Sequence, residues 1–428
     1  MEIDSWNIDG ILVEPSFNRI IHSESLINII GQVDPDQNGI EGLELYFDST
    51  LKGTDGEIKY EASPSGKIIP QAEIKKIQPI HGKDLILTID SELQYISENL
   101  CSEAIKKTEA LNCSIVFVYA NTGEILIAAE KSADHEESLN VELLSVRAYY
   151  EPGSSLKIFS IGAGLELGLY DENTTYTVND EIEIFDGACS NTYTGPKGCY
   201  RDFLNHEPYE LTINEIIERS SNVGTIIATK DIDINYLEDY LNKFGFGQKT
   251  GVELTGELDG RFTDYNICKT CLSSLSIGYS LDVTQLQMVK AYSIIANGGK
   301  EINLTLIKKP VEKLDNNQVI SIEMSNRMRN LLINAVEGEN GTGRSLQLDN
   351  YIIGGKTGTS RTHIEGYGYS DYRFNTSFTG FIDTSEGPVV GSVILWGASV
   401  NPVSEYVTGG STAAPIFKTI VSNLVPGG

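Results

Sequence analysis

The stretch from Glu151 to Leu167 constrains this chain more than any other. Glu151-Pro152-Gly153 is a turn signal, and the run from Ser154 to Leu167 behind it reads as a helix with apolar residues on every side. Such a helix has no solvent face, so it belongs in the middle of a fold large enough to enclose it. With 428 residues the chain is long enough for two or three domains, one of them with a large core. Ser154 and Lys157 interrupt the apolar run three residues apart and therefore share a helix face. The Pro-Gly entry sets Ser154 at the helix N-terminus, where the dipole favours a developing alkoxide. Lys157, among Leu156, Ile158 and Phe159, would have its neutral form favoured by desolvation. A hydroxyl with a neutral amine one turn away is a nucleophile with its base.

Ser-x-x-Lys alone is a weak pattern, and it recurs at Ser49-Thr50-Leu51-Lys52. That copy is followed by Gly53 with no apolar helix behind it, and it reads as a surface turn. A Ser-x-Asn is a second element to look for, its hydroxyl able to relay a proton and its amide able to hold substrate or lysine. Six such triplets start at Ser5, Ser16, Ser97, Ser138, Ser220 and Ser399. Ser220-Ser221-Asn222 closes a predicted helix from Leu211 to Arg219, and a helix cap is the plain reading of it. Lys-Thr-Gly occurs at Lys249 and at Lys356. Lys356-Thr357-Gly358-Thr359 follows Tyr351-Ile352-Ile353-Gly354-Gly355, a predicted strand whose small residues would let a substrate backbone approach. Lys249 follows the turn-rich Phe244-Gly245-Phe246-Gly247, so Lys356 is the better candidate. A phosphate-binding loop ending at Gly355-Lys356-Thr357 would need glycine at 350, which is asparagine. No Gly-x-Ser-x-Gly elbow is present either.

Residues 1–80 are turn-rich and short-stranded, with little core of their own. From there, Leu85–Asp90 reads as a strand and Ser91–Thr108 as a helix. Cys113–Tyr119 and Glu124–Ala129 read as strands of a hairpin turned at Asn121-Thr122-Gly123, with an open polar loop at 132–140. A helix is expected over Gln285–Asn297. Strands are expected at Ile352–Ile353, Phe378–Ile382 and Val389–Trp396, then a last helix over Ala414–Leu424. Helices mixed with strands and no βαβ repeat imply an α+β fold with an antiparallel sheet flanked by helices.

The net charge of −28 argues against nucleic acid as a partner and against docking on anionic lipid. The sequence has no run of about 18 apolar residues that a membrane helix needs, and its first residues lack the basic and apolar regions of a signal peptide. The six cysteines fall in close pairs, 101 with 113, 189 with 199, and 268 with 271. Such pairs suit an oxidising compartment, as disulfides or as free thiols. Cys268-Lys269-Thr270-Cys271 has no second half for a zinc site, and the five histidines are scattered, so neither metal nor cofactor is expected.

The ordered set Ser-x-x-Lys, Ser-x-Asn, Lys-Thr-Gly is the signature of penicillin-binding proteins and class A β-lactamases. Over nearly its whole length the chain resembles class B penicillin-binding proteins. Gly39–Glu44 and Leu51-Lys52-Gly53 are similar to the pedestal of that family. Leu87–Asp90 with Gln94, and Asn121–Leu126, are similar to the opening of its transpeptidase domain. Phe244–Gly247, Val283–Gln287, Ala296–Gly299, Gly341-Thr342-Gly343, Gly409-Gly410 and Ala413-Ala414-Pro415 match further landmarks in order. The resemblance implies a serine β-lactamase/transpeptidase-like fold at 81–428 and a partial pedestal at 1–80. It implies a peptidoglycan DD-transpeptidase, inhibited by β-lactams, that joins stem peptides ending in D-Ala-D-Ala. Ser154 would attack the penultimate D-Ala with Lys157 as base, Ser220 would pass the proton to the leaving D-Ala, and Asn222 would orient substrate or Lys157. Lys356 would supply positive charge, Thr357 and Thr359 would bind the terminal carboxylate beside Gly358, and backbone N–H groups of Ser154 and Thr359 would form the oxyanion hole. Tyr150–Ser154 and Ser220–Gly224 look more like the division-specific septal branch than the elongation branch. That branch implies a membrane glycosyltransferase and divisome proteins as partners, at the extracytoplasmic face of the bacterial membrane. The family's cytoplasmic tail, membrane anchor and first part of the pedestal have no counterpart here, which implies an incomplete fragment or another anchor. The same motifs also suit a serine β-lactamase or DD-carboxypeptidase, or a non-catalytic β-lactam sensor or scaffold.

Overall fold

The computed structural model describes residues 20, 26–64, 69, 74–133, 143–190, 198–265, 268–308, 317–364, 368–399 and 407–425. Residues 1–86 with 253–255 form one unit, and 87–252 with 256–428 form a second. In the first unit, short helices at Ile27–Ile30, Gly42–Tyr46 and Asp48–Leu51 accompany an exposed pair of three-residue strands, Glu57–Lys59 and Lys75–Ile77. Its buried apolar side chains among the described residues are Ile29, Leu43 and Leu254. In the Ser49 copy of Ser-x-x-Lys, the exposed Ser49 lies in the short helix Asp48–Leu51 and the exposed Lys52 just after it.

The second unit opens with α1 (Ser91–Thr108). Asp90 caps it by accepting the N–H groups of Glu92 and Leu93, and Glu109 ends it in the left-handed conformation at φ 49°. Strands β1 (Asn112–Tyr119) and β2 (Ile125–Ser132) follow as a hairpin. Next come α2 (Lys157–Glu166), the small hairpin β3 (Glu181–Glu183) and β4 (Cys199–Arg201), α3 (Ile213–Arg219) and α4 (Asn222–Thr229). The unit continues with α5 (Gln285–Ala296) and α6 (Ile322–Glu337), the long strands β5 (Ile353–Ile364), β6 (Gly368–Thr384) and β7 (Gly387–Ala398), and α7 (Ala413–Leu424).

Five of these strands make one antiparallel sheet in the order β5-β6-β7-β1-β2, so the C-terminal strands pair with the N-terminal hairpin through β7 and β1. Helices cover both faces, which is why the central strands are apolar in both directions. On one face α1 and α7 enclose a core in which the Phe417 ring packs tilted against Phe117 and edge-on against Phe378, with ring centroids 5.1 and 4.8 Å apart. On the other lies α5, buried along its whole length, whose Gln285 amide donates to the carbonyls of Ser114 on β1 and Ser392 on β7. Helix α2 is buried from Lys157 to Leu165, as its all-round apolarity requires. The α+β class and the antiparallel sheet flanked by helices agree with the sequence expectation.

Several local expectations are corrected. Leu85–Asp90 is no strand. It makes one isolated bridge, Leu87 to Ile307, and the N–H of Asp90 donates to Leu126 O. The short partner segment offers no ladder to continue. The Leu211–Arg219 helix starts at Ile213, because Tyr209–Thr212 pairs with Thr175–Val178 and Thr212 forms a capping box with Glu215. The last strands run well past their apolar cores, since hairpin pairing carries polar Thr357–His363 and Tyr369–Phe374 along. Most of the 132–140 loop lies outside the described residues. All six cysteines are bonded in the pairs 101–113, 189–199 and 268–271, so the zinc alternative for Cys268–Cys271 falls. Among the described residues no helix is long and apolar enough to cross a membrane.

Candidate active site

The helix predicted from Ser154 begins as a 3-10 turn, Gly153–Leu156, and becomes α2 at Lys157. The Lys157 N–H donates to Ser154 O, an i to i+3 bond that eclipses the two side chains on one edge of the turn. Ser154 is half-buried, whereas Lys157 is fully buried. Its Nζ donates to Ser220 O at 2.7 Å and Asn222 Oδ1 at 2.6 Å, with Ser220 Oγ at 3.5 Å. Burial brings the Lys157 ammonium down to about 7, against a smaller upward pull from Asp202. A neutral amine has two hydrogens and one lone pair. Its two short bonds consume the hydrogens and leave the lone pair for an incoming proton.

Ser220 ends α3 in the left-handed conformation, φ 60°, and Ser221 caps α4 by accepting the Gly224 N–H. The chain therefore reverses direction at Ser220, which exposes its carbonyl to Lys157. A non-glycine residue held there is strained, and it persists because caps on both sides determine it. The Asn222 amide is oriented from both ends, Oδ1 toward Lys157 and Nδ2 donating to Arg201 O at 2.7 Å.

Lys356, Thr357, Gly358 and Thr359 lie on β5, the edge strand of the sheet. An edge offers unpaired backbone groups to a further extended chain. Lys356 is fully buried, and burial together with Lys157 holds its ammonium well below the lysine range. An arriving anion would favour its charged form. Thr357 Oγ1 donates to Thr342 Oγ1 at 2.8 Å, and Thr359 Oγ1 accepts the Gly409 N–H at 3.2 Å, which leaves the Thr359 hydroxyl hydrogen to donate. A Cβ on Gly358 would lie 2.9 Å from Pro152 O and 3.3 Å from Ser155 Oγ, and one on Gly153 would lie 3.3 Å from Thr359 O. The missing side chains thus let the Ser154 turn and the edge strand run backbone to backbone. Gly354 and Gly355 have a different reason from the substrate approach expected of them: a Cβ there would strike the rings of Phe381 and Phe378 at 2.5 and 2.3 Å. The structure brings Ser154, Lys157, Ser220, Asn222 and Lys356–Thr359 to one place. It does not bring Lys249, whose Thr250 and Gly251 close a turn on the Glu257 carboxylate.

Residues 113–422 match the family model of the penicillin binding protein transpeptidase domain. The chain belongs to that family. Residues 9–87 match the penicillin-binding protein dimerisation domain. The chain is 30% identical over 424 residues to penicillin-binding protein PbpB of Mycobacterium tuberculosis, covering 93% of this chain but only 60% of that relative. It is 29% identical over 430 residues to the probable peptidoglycan D,D-transpeptidase PbpC of Pseudomonas aeruginosa, covering 98% of this chain and 72% of the relative. The crystal structure of penicillin binding protein 3 from Mycobacterium tuberculosis complexed with ampicillin superposes with a TM-score of 0.75 at 28% identity, covering 93% and 86% of the two chains.

Some groups that shape this site were not assigned a role from sequence. Gly278, at φ 88°, accepts the Gly153 N–H on its carbonyl at 2.9 Å. Glu151, read only as a helix opener, accepts from Tyr369 OH at 2.8 Å and the Ser280 N–H at 3.3 Å, and its carbonyl accepts from Ser360 Oγ. Thr342, noted only within Gly341-Thr342-Gly343, hydrogen-bonds Thr357. Positive φ and cross-chain contacts leave no periodic signal, so only the glycines could have hinted at them. A cavity of about 770 Å³, lined by Tyr149, Glu151, Ser280, Arg361 and Trp396 among others, adjoins the turn without including Ser154 or Lys157.

Proposed function

We propose that this chain is the acyl-transfer part of a peptidoglycan DD-transpeptidase, with Ser154 as nucleophile and Lys157 as its base. The observation that carries this reading is the buried, predominantly desolvated Lys157 amine, pinned by Asn222 and Ser220 one 3-10 turn from Ser154. Ser154 Oγ bonds to the carbonyl carbon of the penultimate D-Ala as its proton passes to Lys157. Ser220 relays a proton to the departing D-Ala amine, and an amine of a neighbouring stem then takes the acyl group. The backbone N–H groups of Ser154 and Thr359 stabilise the oxyanion. Lys356, Thr357 and Thr359 bind the terminal carboxylate, whose charge favours the Lys356 ammonium. No metal or cofactor enters these steps. Residues 1–80 serve as the pedestal and 81–428 as the transpeptidase domain. The protein works at the extracytoplasmic face of the bacterial membrane, in the septal branch, beside a membrane glycosyltransferase and divisome proteins.

Intact-protein mass spectrometry after incubation with benzylpenicillin tests this. A single long-lived adduct on the wild type and none on Ser154→Ala is the expected result. An adduct lost within minutes would mean a β-lactamase or carboxypeptidase, and no adduct on the wild type would mean a β-lactam-inert scaffold. Because only neutral Lys157 accepts the Ser154 proton, acylation is expected to rise about tenfold per pH unit below a bend near pH 7 and to level off above it. A flat stopped-flow profile between about pH 5 and 8 would rule Lys157 out as the base.

A further inference from the structure

We infer that Asp202, which lies outside all three motifs, is a positioning residue that sets the Ser221–Asn222 turn against Lys157. This rests on the acyl-transfer reading above. Asp202 directly follows β4, whose first residue, Cys199, is joined to Cys189 in the connection from β3. Its side chain is only 8% exposed, and four donors converge on it. Oδ1 accepts the backbone N–H groups of Asn222 at 2.5 Å and Val223 at 3.0 Å, while Oδ2 accepts Ser221 Oγ at 2.7 Å and faces His206 Nε2 at 3.3 Å. The preceding residue takes the Asn222 side chain, through Arg201 O and Nδ2. Residues 201 and 202 therefore hold Asn222 by both its backbone and its amide, and the amide oxygen is left pointing at Lys157. A carboxylate at the first N–H groups of α4 is also favourably placed against the helix dipole.

The same carboxylate acts at a distance. It is the one charge that opposes burial at Lys157 and favours the ammonium there. The groups facing this pair are few: His206, stacked on Tyr209 with Arg219 above that ring, on the Asp202 side, and Lys356 on the Lys157 side. A residue that merely stabilised the hairpin would affect folding. Asp202 should in addition change how fast, and at what pH, each folded molecule is acylated.

The test compares wild type with Asp202→Ala, Asp202→Asn and a His206→Gln control, under excess benzylpenicillin, from about pH 5 to 9. The first-order acylation constant in excess ligand does not depend on the fraction of folded protein, so a folding defect appears only in the amplitude. Asp202→Ala is expected to be acylated about 10- to 100-fold more slowly, since Asn222 and Lys157 lose their fixed geometry. Asp202→Asn keeps a carbonyl oxygen for the two N–H groups and should recover most of that rate. Without the charge, however, Lys157 deprotonates more readily, and the bend of its profile should move to lower pH. His206→Gln should keep the wild-type bend. Rate constants and bends within about twofold of wild type in both Asp202 variants would overturn the inference, as would a loss confined to amplitude. Wild type that is not acylated at all would overturn the transpeptidase reading and this inference with it.

Discussion

Replacing Lys157 by Met is expected to raise the melting temperature while slowing β-lactam acylation by about a thousandfold or more. The amine is fully buried, with a proton affinity near 7 where a free lysine has about 10.4. Between those two values the unfolded chain binds a proton that the folded chain does not, so this group's contribution to stability rises with pH across that window. Below about pH 7 its cost is present in full, on the order of 4 kcal/mol, and above about pH 10.4 it vanishes. Methionine fills a similar volume without that cost. It does leave the half-buried Ser220 O and Asn222 Oδ1 without their donor, at about 1 kcal/mol each. The net gain is about 2 kcal/mol, or a few degrees of melting temperature. Calorimetry should show the gap between variant and wild type narrowing from pH 7 toward pH 10. A variant less stable than wild type at pH 7 would mean that the hydrogen bonds outweigh desolvation.

Gly278→Ala is expected to disable the site from outside the three motifs. At φ 88° an alanine costs about 1–2 kcal/mol. Its Cβ would also lie 1.9 Å from Gly153 O and 2.7 Å from Gly153 Cα, and backbone atoms cannot swing aside as a side-chain tip can. Either the loop or the nucleophile turn must move. Since Gly153 also donates to Gly278 O, the turn that carries Ser154 loses its mould. A stability loss of about 3 kcal/mol and acylation slower by about 100-fold are expected. Gly251→Ala is the matched control. Its φ is 82°, nothing lies within 4 Å of the added Cβ, and it belongs to the second Lys-Thr-Gly. It should cost about 1 kcal/mol and leave acylation unchanged. Equal acylation losses in both variants would refute the steric account and would reopen the role of Lys249.

Helices with local start and stop signals were legible. Ser91–Thr108 carries such signals at both ends, since Asp90 caps it and Lys106 and Lys107 lie in its last turn. The buried α2 was legible from apolarity alone. Leu85–Asp90 misled, because alternating Leu85, Leu87 and Ile89 mimic a strand wherever a partner exists, and no ladder forms there. The extensions of β5 and β6 were invisible, since pairing rather than burial holds polar residues in them.

The sequence by itself determined the chemistry on offer: a serine and a lysine three residues apart in an apolar helix, a Ser-x-Asn, and a Lys-Thr-Gly behind a strand. These are local patterns, readable wherever side-chain type and spacing carry the information. Tertiary structure decided how they work together. Burial strips water from Lys157, the left-handed Ser220 turns its carbonyl onto that amine, and Gly278 and Gly358 let separate chain segments touch. Asp202, far from every motif in the chain, braces Asn222. Desolvation and close approach depend on what the rest of the chain places around a residue, and no spacing along the sequence records that.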